Sequence, residues 1–85
     1  MATYKINYFR QFQDADKNGK LFINTEEYDF DGVYNTIEDA EKVLDEIVKD
    51  LYKYQGVEFG YEAKRHVLWA EDNIYGQETW QIIEA

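Results

Sequence analysis

The chain contains no cysteine, no proline and no serine. Without cysteine there is no disulfide to staple the fold and no thiolate to hold zinc or attack a substrate. Without serine as well, covalent catalysis by a Ser or Cys nucleophile is excluded. The five glycines are scattered as turn residues, so no Gly-rich phosphate loop exists. The lone histidine, His66, follows Lys64 and Arg65; a general base needs an orienting partner and a pocket, and a single His in a domain of this size reads as a surface or edge residue. These absences predict a protein that is not an enzyme and uses no cofactor. No apolar run approaches the roughly 20 residues that span a bilayer. Met1-Ala2-Thr3-Tyr4-Lys5 lacks the charged and apolar regions of a signal peptide. The expected location is the cytoplasm.

What is present is acid and aromatic surface. Nine Lys+Arg stand against eighteen Asp+Glu in 85 residues, a formal charge of −9, with 45% apolar and 18% aromatic residues. That apolar share is too high for a disordered acidic tail and predicts one small folded domain over residues 1–85. A domain of this size buries only ~60–65% of the surface its unfolded chain exposes, so its core is small. The charge opposes direct contact with DNA, RNA or an anionic membrane, since each presents a phosphate surface.

Alternation of Tyr4, Ile6, Tyr8 and Phe12 against Lys5, Asn7 and Gln11 predicts a strand over 3–12. Gln13 to Lys20 reads as a turn, with Asn18-Gly19 as the hairpin signal, because both residues tolerate positive φ. A second strand runs from Leu21 through Ile23 and Tyr28 to Phe30, and Asp31-Gly32 breaks it. Thr36 is an N-cap, with Asp39 three residues on approximating a capping box. Ile37, Ala40, Leu44, Ile47, Leu51 and Tyr54, widened by Val43 and Val48, form the apolar stripe of a helix over 37–54 that stops at Gly56. Val57, Phe59, Tyr61 and Ala63 alternate as a strand, which His66 to Trp69 continues or restarts. Asp72 to Gly76 is a loop, and Thr79 to Ile83 is the last strand. The order is ββαββ, an α+β fold in which one amphipathic helix covers one face of an antiparallel sheet. Trp69 and Trp80, one on each closing strand, are expected in the core.

The charge is unevenly placed. Between Glu26 and Asp50 ten acids face only Lys42 and Lys49, a net of −8, while the other 60 residues carry a net of −1. Glu38→Lys42 and Asp45→Lys49 are expected as i,i+4 pairs, each stabilising the helix by about 0.2–0.5 kcal/mol. Glu38 and Asp39 in the first turn suit the helix dipole. Neither effect explains Glu26, Glu27, Asp29 and Asp31, and clustered like charges destabilise a compact state, so the excess points to a use. Carboxylates a few ångströms apart along a helix and a strand imitate nucleic-acid phosphates and would dock on a Lys/Arg groove, quickly and in a salt-dependent way. In size, acidity, charge layout and tyrosine content the whole chain resembles small phage-encoded inhibitors of bacterial defence nucleases, of the anti-CRISPR and anti-restriction type, although no motif carries the likeness. The resemblance implies a protein inhibitor, working in the host-cell cytoplasm, whose partner has a basic nucleic-acid-binding groove. Glu26, Glu27, Asp29, Asp31, Glu38, Glu41, Asp45 and Glu46 are the expected electrostatic contacts.

The eight tyrosines exceed what so small a core can bury, and surface tyrosine beside carboxylate favours a protein partner. Tyr28, Tyr34 and Tyr52 are the expected anchors because acids surround them, whereas Tyr4, Tyr8 and Tyr61 suit half-buried strands. The alternative function is that of a calcium-binding, or small structural or regulatory, domain using the Asp14–Asn18 loop. Oxygen-bearing Asp14, Asp16 and Asn18 with Gly19 match the start of an EF-hand loop, but Thr25 stands where the bidentate Glu belongs. An Asx-rich hairpin loop accounts for the same residues without an ion. Finally, an exposed edge strand at Thr3–Phe12 would offer pairing to a second copy, giving a homodimer.

Overall fold

A computed structural model describes residues 2–53, 56–72 and 76–85. The elements are β1 (Tyr4–Ala15), β2 (Leu21–Asp29), α1 (Ile37–Leu51), β3 (Val57–Glu62), β4 (Val67–Asp72) and β5 (Gly76–Glu84). The fold is α+β: one antiparallel sheet, ordered β2-β1-β5-β4-β3, with a single helix on one face. The segment after the helix makes three strands rather than two, because Ala63 to His66 form a turn and the chain restarts as β4. His66 takes a left-handed φ of 53° to close that turn, and Arg65 donates to both carboxylate oxygens of Glu62 across it. None of the described helices is long and apolar enough to cross a membrane.

Period-two alternation decides which face is dry. Ile6, Tyr8, Leu68, Ala70, Trp80 and Ile82 point to the helix side, and Ala40 and Leu44 close over them. Register explains the grouping: Ile6 lies opposite Ile82, and Tyr8 opposite Trp80, which in turn lies opposite Leu68. Ring centroids of Tyr8 and Trp80 are 5.5 Å apart, a tilted pair that adds to simple area burial. Thr36 accepts from the Asp39 backbone N–H at 3.1 Å with extended backbone, so the N-cap forms as the sequence predicts.

Several boundaries differ from the sequence reading. Helix α1 ends at Leu51 with Tyr52 as C-cap, so Gly56 is not its stop; its left-handed φ of 82° instead turns the chain into β3. Tyr54 and the loop residues 73–75 lie outside the described residues. Strand β1 runs on to Ala15, and the expected turn over 13–20 shrinks to a tight one in which Gly19 N–H donates to the Asp16 carbonyl. Beyond Gln11, where pairing with β5 stops, β1 and β2 continue as a two-stranded arm, and the longest dimension of the molecule is 52 Å. Strand β1 is paired on both sides as far as Gln11, so the free edge expected over Thr3–Phe12 is not found there; the outer strands of the sheet are β2 and β3. Trp69 is not in the core. It lies on the face away from the helix, 38% exposed, over Gly60 directly opposite it in β3.

Candidate functional site: an acidic groove beside the helix

The helix lies over β1 and β5, which leaves the helix side of β4 and β3 only partly covered. A groove of about 390 Å³ remains there, floored by Leu44, Val48, Leu68 and Tyr61. Its rim is Glu38, Glu41, Lys42 and Asp45. The spacing 38, 41, 45 keeps these three acids on one flank of a 3.6-residue helix, next to the apolar stripe.

That flank is distinguished by how the lysines choose partners. The i,i+4 pairs expected from Glu38 to Lys42 and from Asp45 to Lys49 do not form. Each lysine instead reaches the carboxylate three residues back: Lys42 to Asp39 at 3.8 Å, Lys49 to Glu46 at 3.0 Å and Lys53 to Asp50 at 3.3 Å. Three acids of α1 are thereby neutralised on the far flank. Among the described residues, no cation lies within ion-pair distance of Glu38, Glu41 or Asp45.

Tyr61 sits against this bare flank. Its hydroxyl donates to Glu41 Oε2 at 2.7 Å and lies 3.3 Å from His66 Nδ1. With the hydroxyl proton given to Glu41, the histidine contact requires Nδ1–H to donate to the phenol oxygen. Burial raises the Tyr61 pKa to about 12, helped by the hydrogen bond and negative charge of Glu41 and by the charge of Asp45. The phenol therefore stays protonated at neutral pH and donates to Glu41. At the C-terminal end of the groove wall Tyr52 packs edge-on against Phe59, centroids 4.9 Å apart, while remaining 75% exposed.

The other predicted residues fall elsewhere. Glu27 and Asp29 share the register parity of Asn7 and Phe9, so they lie on the sheet face opposite the helix and cannot join the α1 flank in one surface. Asp29 is also engaged: Asn7 donates to it at 3.0 Å and Lys5 at 2.9 Å. These bonds, Asn7's first, hold its carboxyl below the usual carboxylate range. Glu26 is on the helix side but at the sheet edge, 4.0 Å from Arg10, whose guanidinium lies over the Phe12 ring at 4.3 Å. Asp31 is exposed in the β2–α1 connection. Tyr28 packs on Tyr8 at 5.0 Å while staying exposed. Tyr34 is half-buried and exchanges both backbone hydrogen bonds with Tyr4, which makes it part of the frame.

In the hairpin loop, Asp16 Oδ1 accepts from the backbone N–H groups of Asn18 and Lys20, and Asp14 Oδ1 accepts from Ala15 N–H. The Asn18 bond closes an Asx-turn, and with the Lys20 bond it shapes the reversal. Among the described residues, no group of three or more His, Cys, Asp or Glu side chains is placed to hold a metal ion.

The sequence suits Tyr61 to a half-buried strand, and the structure places it in the groove. Its position 20 residues beyond Glu41 gives no local signal for the contact. Comparison with known proteins finds no matching family model, no similar curated protein and no similar solved structure.

Proposed function

We propose that this protein is a non-catalytic, protein-binding inhibitor that inserts the Glu38–Glu41–Asp45 flank into a basic, nucleic-acid-binding groove of a nuclease or CRISPR effector. The observation that carries the reading is the segregation of charge on α1. Three carboxylates are paired with lysines on one flank, and on the other, beside a groove with an apolar floor, three have no cation within ion-pair distance among the described residues, Lys42 on the rim turning to Asp39.

Spacing favours imitation of one strand rather than of a duplex. At about 1.5 Å rise per residue, 38 to 45 spans ~10 Å along the helix axis for three charges, or ~5 Å per charge. One strand of B-form DNA carries a phosphate per ~3.4 Å of axis, and the two strands together one per ~1.7 Å. The flank thus supplies somewhat less charge than a single strand. The apolar floor and the exposed Tyr52 ring would add to such a contact the aromatic and aliphatic burial that anchors protein interfaces.

Affinity capture on the immobilised domain tests the proposal. A bound nucleic-acid-processing enzyme, released at moderate salt and competed by DNA or RNA, is the expected result. Loss of that binding in Glu38→Gln/Glu41→Gln/Asp45→Gln, with the far-ultraviolet circular dichroism unchanged, would assign it to the flank. Undiminished binding by the triple variant would contradict the assignment.

A further inference from the structure

The edge strand β2 is exposed along all nine residues, and its distal half is apolar: Leu21 and Ile23 are each 60% exposed and Phe22 43%. Edge strands that must not pair are commonly blunted by proline, a bulge or a central lysine. Residues 21–25 of β2 carry none of these, and their register with β1 is unbroken.

The backbone shows which groups face away from β1. Phe30 N–H donates to the Ile6 carbonyl and Asp16 N–H to the Lys20 carbonyl, which fixes the phase of the β1–β2 ladder. Bonded and non-bonded pairs alternate in an antiparallel ladder. Even-numbered residues of β2 therefore bond inward to β1, and Leu21, Ile23, Thr25, Glu27 and Asp29 point their N–H and C=O groups outward, the Thr25 N–H donating to its neighbour Asn24 Oδ1 at 2.9 Å. A second β2 can bond to this edge only by matching odd residues to odd residues.

Charge then selects the register. A two-fold pairing centred on Thr25 sets Ile23 opposite Glu27 and Leu21 opposite Asp29, apolar against acid. Pairing centred on Tyr28 or beyond sets acids against acids. Centring on Ile23 sets Ile23 opposite Ile23, Leu21 opposite Thr25, Phe22 opposite Asn24, and Lys20 opposite Glu26 at both ends. Opposite charges directly across a ladder are favourable and like charges are not.

We infer that β2 is a self-association edge: two copies pair antiparallel about Ile23, with Lys20 of each copy facing Glu26 of the other, into one ten-stranded sheet. The occupant is a second copy because the strand is complementary to itself in both hydrogen-bond phase and charge. The two α1 grooves remain open in such a dimer, so this inference stands apart from the proposed function.

The absence of native cysteine makes the test free of background. Residues directly opposite in a bonded pair have Cα atoms about 5.5 Å apart, within disulfide range. Ile23→Cys is expected to oxidise to a covalent dimer. Leu21→Cys and Thr25→Cys are not, because each lies four residues, or ~13 Å, from its own copy at ~3.3 Å per residue. Sedimentation should show the unmodified chain at twice its 10.2 kDa mass. Ile23→Pro, which removes the outward N–H at the centre of the pairing and leaves the bonds to β1, should weaken the dimer at least tenfold with the circular dichroism unchanged. Lys20→Glu should also weaken it, and Lys20→Glu/Glu26→Lys should restore it, which keeps the test open should the proline variant fail to fold. A monomer at millimolar concentration, equal oxidation at all three cysteine positions, or a charge-swapped variant no better than Lys20→Glu would overturn the inference.

Discussion

The Tyr61 hydroxyl donates to Glu41 Oε2 at 2.7 Å and so ties β3, the sheet edge farthest from β2, to the bare flank of the helix. One bond thereby serves two purposes. It holds the helix over a part of the sheet that it only partly covers, and it fixes one carboxylate of the rim while Glu38 and Asp45 stay solvated. Removing it with Tyr61→Phe should cost about 1 kcal/mol of stability, the net worth of an ordinary hydrogen bond, as measured by urea denaturation. The same substitution should weaken partner binding less than loss of all three acids does.

Alkaline pH reports on the same contact. Burial, then the charge of Glu78, raises the Tyr8 pKa to about 12, and Tyr61 also ionises at about 12. Both values exceed the usual ~10 of the unfolded chain. Stability from these two phenols is therefore fully present below pH ~10 and is lost as pH rises toward ~12, since the unfolded chain ionises first. Ultraviolet titration should show Tyr8→Phe and Tyr61→Phe each removing one phenolate from the highest-pH limb. An unchanged limb in Tyr61→Phe would contradict the contact with Glu41.

At the acid end the sign reverses. The bonds from Asn7 and Lys5 lower the Asp29 pKa, so its contribution is present above the unfolded carboxylate's pKa and is lost as pH falls through the folded one. Asp29→Asn should be less stable than the parent at pH 7, and the gap should close in acid. An NMR titration of the Asp29 carboxyl in Lys5→Met should move its pKa upward. Because the group is exposed, the stability difference at pH 7 is expected to be small.

Two glycines allow close approach. An added Cβ at Gly76, where φ is 96°, would collide with the Gln11 carbonyl across the β1–β5 ladder. Gly76→Ala should therefore destabilise by more than ~1 kcal/mol, since both the backbone conformation and the contact oppose it. At Gly60 the added carbon would come within 2.8 Å of the Trp69 indole. Gly60→Ala should shift the tryptophan emission while costing roughly 1–3 kcal/mol, as overpacking does. Unaltered emission would mean that the indole does not rest on Gly60.

The elements that follow from local rules were legible in the sequence. Thr36 caps, the 3.6-residue stripe from Ile37 to Leu51 buries, and Asn18-Gly19 turns, because each depends on residues within one turn of one another. What escaped depends on distant partners. Gln13-Asp14-Ala15 gives no strand signal, since the arm is solvated on both faces and needs no alternation. The run Val67-Leu68-Trp69-Ala70 is apolar on both parities, so the sequence does not say which parity faces in; Leu68 and Ala70 enter the core and Trp69 lies over Gly60 on the other face. The acidic segment was visible as composition, yet its division was not. Spacings of three and four place a lysine equally near two carboxylates, and the choice of Asp39 over Glu38 and of Glu46 over Asp45 decides which flank stays bare.

The most direct test of the account compares two charge-depleted variants against one captured partner. Glu38→Gln/Glu41→Gln/Asp45→Gln and Glu27→Gln/Asp29→Gln remove carboxylates from opposite faces of the sheet. Binding of each to the partner is measured by titration at low and at moderate salt, with and without competing DNA or RNA. The account predicts that the helix-flank variant loses the salt-sensitive, nucleic-acid-competed binding, while the β2 variant keeps most of it. Equal losses in the two, or a loss confined to the β2 variant, would contradict the claim that the bare flank of α1 is the surface that binds.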